Sequence, residues 1–336
     1  LILLRPYQIH AIEAVREASY RGESGYVWHT TGSGKTLTSY KVARNLLTIP
    51  SIDKTIFIVD RKDLDDQTTS SFLSYAQNDT IDIDETTSSK QLIKTLARKD
   101  RRVVVTTIQK ISAMMRKFEQ GHYQQNQERI RHLRVAFVVD ECHRAVTPTT
   151  KREIERFFAN SLWFGFTGTP IFEENKKSSD GQYARTTHDQ YGEVLHRYTI
   201  KNALEDGSVL GFQVEHESTI HQDELANVVY RAMRSEEKNI NYTDEELVST
   251  IEAMKDIDKE QYLQSTHYES DDHIQSVIRK ILSPNNAYSK FVFKDGKPTM
   301  SAILTTSSID MAKRYYKAIK KFTAHKNWLE TQFPNN

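Results

Sequence analysis

The chain has 336 residues and is almost charge-neutral, with 46 Lys and Arg against 45 Asp and Glu and a formal net charge of +1. That balance excludes a uniformly cationic nucleic-acid binder, so any contact with nucleic acid has to be a local groove. A hydrophobic content of 38% suits packed cores, the length leaves room for two α/β domains at about 150 residues each, and no run of about 18 apolar residues suggests a membrane span. Cys142 is the single cysteine and has no internal disulfide partner, which points to a reducing, cytoplasmic setting.

In chain order, Pro6 suits the first turn of a helix, and Ile9, Ile12, Val15 and Ala18 recur at helical spacing from Gln8 to about Ser19. Tyr26-Val27-Trp28 reads as a short strand running into His29-Thr30-Thr31-Gly32-Ser33-Gly34-Lys35-Thr36, with a helix from about Leu37 to Leu47 closed by Pro50. Four apolar runs, Thr55–Asp60, Arg102–Thr107, Arg134–Asp140 and Leu162–Thr167, read as strands buried on both faces. Helices are expected between them over Lys62–Tyr75, Lys90–Lys99 and Lys151–Asn160. This alternation predicts a doubly wound parallel α/β sheet. After Pro170 the pattern changes. Glu174–Gln190 reads as a loop, Asp223–Leu282 as charged helices, Thr299–Thr305 as a new strand and Ser308–Phe322 as an amphipathic helix.

Gly32-Ser33-Gly34-Lys35-Thr36 ends as a P-loop ends. Its glycines let backbone N–H groups of Thr31, Gly32, Ser33 and Gly34 cradle phosphate oxygens, and the following helix N-terminus adds partial positive charge. Lys35 would reach the β- and γ-phosphates of ATP, and the Thr36 hydroxyl would ligate Mg2+. The motif's first position usually holds Gly or Ala; here it is His29.

Val138-Val139-Asp140-Glu141-Cys142-His143 places two adjacent carboxylates at the end of a buried strand, an arrangement that calls for a neutralising partner such as Mg2+–ATP. Asp140 would hold the metal, Glu141 would orient or deprotonate the attacking water, and His143 would sense the γ-phosphate or serve only the fold. In a parallel sheet, ligands gather beyond the carboxyl ends of the strands. Arg61 after one strand, and Thr106, Thr107, Gln109 and Lys110 after another, suit contact with DNA phosphates, and equally suit solvated loop ends.

Asp140-Glu141-Cys142-His143 resembles motif II of superfamily 2 helicases and translocases. Thr167-Gly168-Thr169-Pro170 resembles their motif III, which implies that Thr167 and Thr169 couple hydrolysis to nucleic-acid contact. Arg5-Pro6-Tyr7-Gln8 is similar to the upstream element in which a glutamine reads the adenine edge, so Gln8 would favour ATP over GTP. The likeness narrows further. The stretch from Trp28 to Thr38, Val59–Leu64 with Gln67, Thr106–Lys110, Asp140–Arg144, Phe164–Ile171 and Tyr191–Gly207 together resemble the restriction (R) subunit of type I restriction-modification enzymes, in which the His29 position is a family trait.

The resemblance implies RecA-like domains, a first motor domain over residues 1–210 and an incomplete second one over 211–336 with a charged helical insertion at about 223–282. It also implies ATP-driven movement of double-stranded DNA in a complex with methyltransferase (M) and specificity (S) subunits. The family's nuclease domain and its Q-x-x-G-R-x-x-R arginine-finger motif are expected outside this sequence. Another superfamily 2 helicase, acting on DNA or RNA, is the alternative.

Overall fold

The computed structural model describes residues 3–59, 74–75, 83–175, 186–212, 214, 219–220, 222–235, 242–282, 293–294, 297–298 and 303–332. The chain divides into two compact units, Leu1–Phe212 and Gln213–Asn336.

The first unit begins with α1 (Pro6–Arg21), β1 (Gly25–His29), α2 (Lys35–Leu46) and β2 (Lys54–Val59). Next come β3 (Ile83–Glu85), α3 (Ser89–Leu96), β4 (Arg102–Thr107), α4 (Ile108–Glu119), α5 (Gln124–Arg131) and β5 (Val135–Val139). It closes with α6 (Cys142–Ala145), α7 (Pro148–Phe157), β6 (Ser161–Thr167), α8 (Thr187–Tyr191), β7 (Glu193–Tyr198) and α9 (Ile200–Glu205). The strands form one seven-stranded sheet in the order β3-β4-β2-β5-β6-β1-β7, and every pairing is parallel.

The continuous apolar runs are explained by helices on both faces. Successive strand residues point to opposite sides. Phe57, Val59, Val103, Val105, Ala136, Val138, Phe164 and Phe166 join α1 and α2 through Ala11, Val15, Tyr40, Ala43 and Leu46. Their neighbours Ile56, Ile58, Val104, Phe137, Val139 and Trp163 pack on the other face with Leu92, Leu96, Ile111, Met114, Phe118, Ile154 and Phe158. Phe137 stacks on Trp163 at 4.2 Å between ring centroids.

Several expectations shift. Gln109 and Lys110 lie in the first turn of α4 and not in a loop, because Ile111, Met114 and Phe118 recur on one face and bury it against the sheet. β3 and β7 carry no long apolar run. They sit at the two edges of the sheet, where a strand is covered on fewer sides and needs no continuous hydrophobicity. The polar stretch expected as a loop contains a 3₁₀ turn (Glu173–Asn175) and α8. Arg61 and nearly all of the helix expected at Lys62–Tyr75 lie outside the described residues.

In the second unit, helices cover Gln222–Ser235, Asp244–Ala253, Asp256–Glu260, Ser265–Tyr268 and Asp271–Ile281. The final helix, Ile309–Gln332, runs past the expected end at Phe322. Ile274 and Ile278 pack against Met311 and Tyr315, and Arg314 pairs with Asp271 at 2.6 Å. Residues 303–306 are described without regular structure, with Ile303 94% exposed, so the expected strand is not seen in that part of Thr299–Thr305. Among the described residues, no helix is long and apolar enough to cross a membrane.

Candidate ATPase site

β5, β6 and β1 are consecutive in the sheet and parallel, so their carboxyl ends open on one edge. β1 ends at His29 and leads into the phosphate loop. β5 leads into Asp140-Glu141, and β6 ends at Thr167. The topology thus assembles three separated motifs at one place, where ligands of such sheets bind.

In the loop, Gly32 (φ +81°) and Gly34 (φ +73°) take left-handed backbone conformations that side chains disfavour, which turns consecutive N–H groups inward. Lys35 opens α2 immediately afterwards, and Thr36 follows it in the first turn. The Lys35 ammonium lies 3.8 Å from a Glu141 carboxylate oxygen, and the lysine side chain is 10% exposed. The backbone N–H of Glu141 donates to Asp140 Oδ1 at 3.0 Å. Glu141 has φ +45°, a strained value for a residue with a Cβ, and so turns its carboxylate out of the strand direction as α6 begins.

Motif III closes the site. His143 Nδ1 is 2.9 Å from Thr167 Oγ1 and 3.6 Å from Glu141 Oε2. Thr169 donates its backbone N–H to Thr167 Oγ1 at 3.1 Å, and Thr169 Oγ1 lies 3.5 Å from His143 Nε2. A Cβ on Gly168 would stand 3.2 Å from the His29 carbonyl oxygen and 3.4 Å from Lys35 Nζ, so glycine lets this turn approach the phosphate loop closely. His143 thus bridges the acid that faces Lys35 and the threonine pair.

Gln8, expected at the adenine edge, is bonded here to the phosphate loop and α2. Its Oε1 accepts the Arg5 N–H at 3.0 Å. Its Nε2 donates to Thr38 Oγ1 at 3.1 Å and approaches the carbonyls of Gly34 and Ser33 at 3.4 and 3.5 Å. Gln8 is 4% exposed, with its amide engaged on the loop itself. Thr106 is the last residue but one of a buried strand, and its hydroxyl is 2.9 Å from that of Thr86. Thr106 and Thr107 are 1% and 5% exposed, so of the expected phosphate contacts after β4 only Gln109 and Lys110 reach the surface.

Sequence reasoning missed the aromatic brace behind the loop. Tyr7 donates its hydroxyl to the Ser33 carbonyl at 2.7 Å and stacks on Tyr198, with centroids 3.6 Å apart and planes 9° from parallel. Thr30 N–H donates to the Tyr198 carbonyl. Tyr7 was legible as a neighbour of Gln8, whereas nothing local marks Tyr198. His29 is fully buried, with Nε2 2.8 Å from His196 Nδ1. Burial first, then His196 and Lys35, hold its pKa down at about 3, so its ring is neutral at pH 7.

A family model described as SWI2/SNF2 ATPase matches residues 7–252, which include every side chain of the site from Tyr7 to Tyr198. The chain belongs to the SWI2/SNF2 ATPase family. This SWI2/SNF2 ATPase is 38% identical over 324 residues to a type I restriction enzyme endonuclease subunit of Staphylococcus saprophyticus, a match covering 96% of the chain and 30% of that protein. A type I restriction enzyme endonuclease subunit of Staphylococcus aureus is 38% identical over 322 residues, again with 96% and 30% coverage. The chain thus spans about 30% of the length of these relatives. Among solved structures it is similar to the ATP-dependent Type ISP restriction-modification enzyme LlaBIII bound to DNA, with TM-score 0.53, 17% identity, and 96% of this chain and 22% of that chain covered. At that identity the likeness establishes the fold.

Proposed function

We propose that this chain is the ATP-driven motor of a type I restriction enzyme endonuclease subunit, and that it moves along double-stranded DNA before a nuclease elsewhere in the protein cuts. The observation that carries the reading is the convergence of Lys35, Glu141, His143 and Thr167 at adjacent strand ends. It is supported by the restriction-enzyme relatives, which match along almost the whole chain.

In this reading, the backbone N–H groups of residues 31–34 and the Lys35 ammonium bind the ATP phosphates. The Thr36 hydroxyl and the Asp140 carboxylate are hard oxygen donors of the kind Mg2+ accepts, and they would hold it. When bound, the metal would neutralise charge on the β- and γ-phosphate oxygens. Glu141 orients the attacking water and takes its proton as the water oxygen bonds to the γ-phosphorus and the bond from that phosphorus to the β–γ bridging oxygen breaks, with ADP as the leaving group. His143 passes the state of Glu141 to Thr167 and Thr169. Gln109 and Lys110, at the surface of the same sheet edge, contact DNA phosphates; Arg61 belongs to the same proposal. Residues 1–210 form the first RecA-like motor domain and 211–336 the opening of a second. Methyltransferase (M) and specificity (S) subunits are the partners, in the cytoplasm.

The deciding experiment measures phosphate release by the full-length protein with duplex DNA, single-stranded DNA or RNA as stimulant. Stimulation by duplex DNA, lost in Lys35→Ala, is expected. Preferential stimulation by single-stranded RNA would replace this reading with that of an RNA helicase.

A further inference from the structure

Helix α8 lies outside the ATPase motifs, yet it is bonded to the segments that follow two of them. Thr187 and Ile171 are joined both ways: Ile171 N–H donates to Thr187 Oγ1 at 2.8 Å, and Thr187 N–H donates to the Ile171 carbonyl at 2.9 Å. Ile171 follows Pro170 and ends the turn that carries Thr167 and Thr169. Three residues along α8, Gln190 donates its side-chain N–H to the Val146 carbonyl at 2.7 Å. Val146 follows α6, the single helical turn that starts just after Glu141 and carries His143. Tyr191, 2% exposed, donates its hydroxyl to the Cys142 carbonyl at 3.4 Å at the start of the same turn.

α8 is itself held in place. Thr186 Oγ1 accepts the Asp189 N–H at 3.0 Å, and Asp189 Oδ2 accepts the Thr186 N–H at 3.1 Å, a reciprocal cap. At the other end the helix runs directly through Gly192 into β7 of the sheet.

We propose that Thr187 and Gln190 are positioning residues for ATP hydrolysis, holding the His143 turn and the Thr167–Thr169 turn at one fixed separation. The contact they set is His143 to Thr167, at 2.9 Å. A hydrogen bond tolerates only a few tenths of an ångström of drift, so two arms that could slide independently would lose it. α8 ties both arms to one short helix. It touches no reacting atom. Its effect falls on turnover and on the coupling to DNA, while the groups that bind ATP stay in place.

This inference rests on the ATPase reading above. The test uses the full-length protein with duplex DNA and compares Thr187→Val, Thr187→Ser and Gln190→Leu, each close in size to the residue it replaces. Thr187→Val and Gln190→Leu should lower kcat about tenfold and leave the KM for ATP within about twofold of wild type. Thr187→Ser keeps the hydroxyl and should restore kcat. Wild-type kcat in both Thr187→Val and Gln190→Leu overturns the inference, as does an equal loss in Thr187→Ser and Thr187→Val, or a rise in KM that matches the fall in kcat. A wild-type protein that hydrolyses no ATP would instead sink the ATPase reading and this inference with it.

Discussion

The Lys35 ammonium stands 3.8 Å from the Glu141 carboxylate, so the cation proposed to bind phosphate and the acid proposed to activate water face one another across the site. Each partly neutralises the other before nucleotide arrives, and an incoming γ-phosphate competes with Glu141 for the lysine. Lys35→Ala should lower ATP turnover about 10²-fold or more, the scale seen when one preorganised charge-stabilising donor is lost. The fold should survive, because the Glu141 side chain left behind is 30% exposed and stays hydrated. Glu141→Gln should retain ATP with hydrolysis lost. Phosphate release and ATP retention on the protein check both, and wild-type turnover in either variant would remove the assigned role.

The brace behind the phosphate loop predicts effects on affinity. Tyr7→Phe removes one buried hydrogen bond, to the Ser33 carbonyl, while preserving the stack on Tyr198. The KM for ATP should rise about 3- to 10-fold with little change in kcat, the usual worth of such a bond. Gln8→Ala should weaken ATP and GTP binding alike, since the amide holds loop carbonyls and Thr38. Competition between the two nucleotides measures this; selective loss of ATP would show that Gln8 reads the base.

Gly165 has no room for a side chain. A Cβ there would stand 2.6 Å from Cys142 Sγ and 3.3 Å from the Tyr191 ring. Gly165→Ala should destabilise by about 1–3 kcal/mol, as overpacking does, and should displace Cys142 next to Glu141. A lowered thermal midpoint with reduced kcat is the expected result. An unchanged midpoint would mean that the neighbours yield freely.

Two ionisable groups, buried His29 and exposed Asp100, set acid windows. His29 has a folded pKa of about 3 against 6.5 for the free group, so the unfolded chain takes up a proton that the folded one refuses. Its contribution is complete above 6.5 and is lost as pH falls toward 3. Asp100 runs lower. Its hydrogen bond to Arg102, and then Lys54, hold its carboxyl at about 2 against 3.8, with burial opposing them. That contribution is present above 3.8 and disappears as pH falls through 2. Thermal midpoints from pH 7 to 2 should fall less steeply in His29→Asn over the first window and in Asp100→Asn over the second. Parallel curves for variant and wild type would remove the effect.

The parallel sheet was legible in the sequence because a strand buried on both faces must be apolar at every position, as in Arg102–Thr107 and Val135–Val139. The site residues Lys35, Asp140 and Glu141 were legible because phosphate binding demands particular residue types at short spacing. β7 and α8 were not. An edge strand buries little, so Glu193–Tyr198 has no distinctive pattern, and the partners of Thr187 and Gln190 are remote in sequence.

Local chemistry along the chain thus determined the alternation of strand and helix, the glycine turns that cradle phosphate, and the acid pair at a strand end, since each depends on near neighbours. Only the tertiary structure decided which strands lie side by side, and through that order it set Glu141 against Lys35, His143 against Thr167, and Tyr7 on Tyr198. It also turned Gln8 toward the phosphate loop and buried Thr106, because a side chain's final partners depend on what the rest of the chain packs around it.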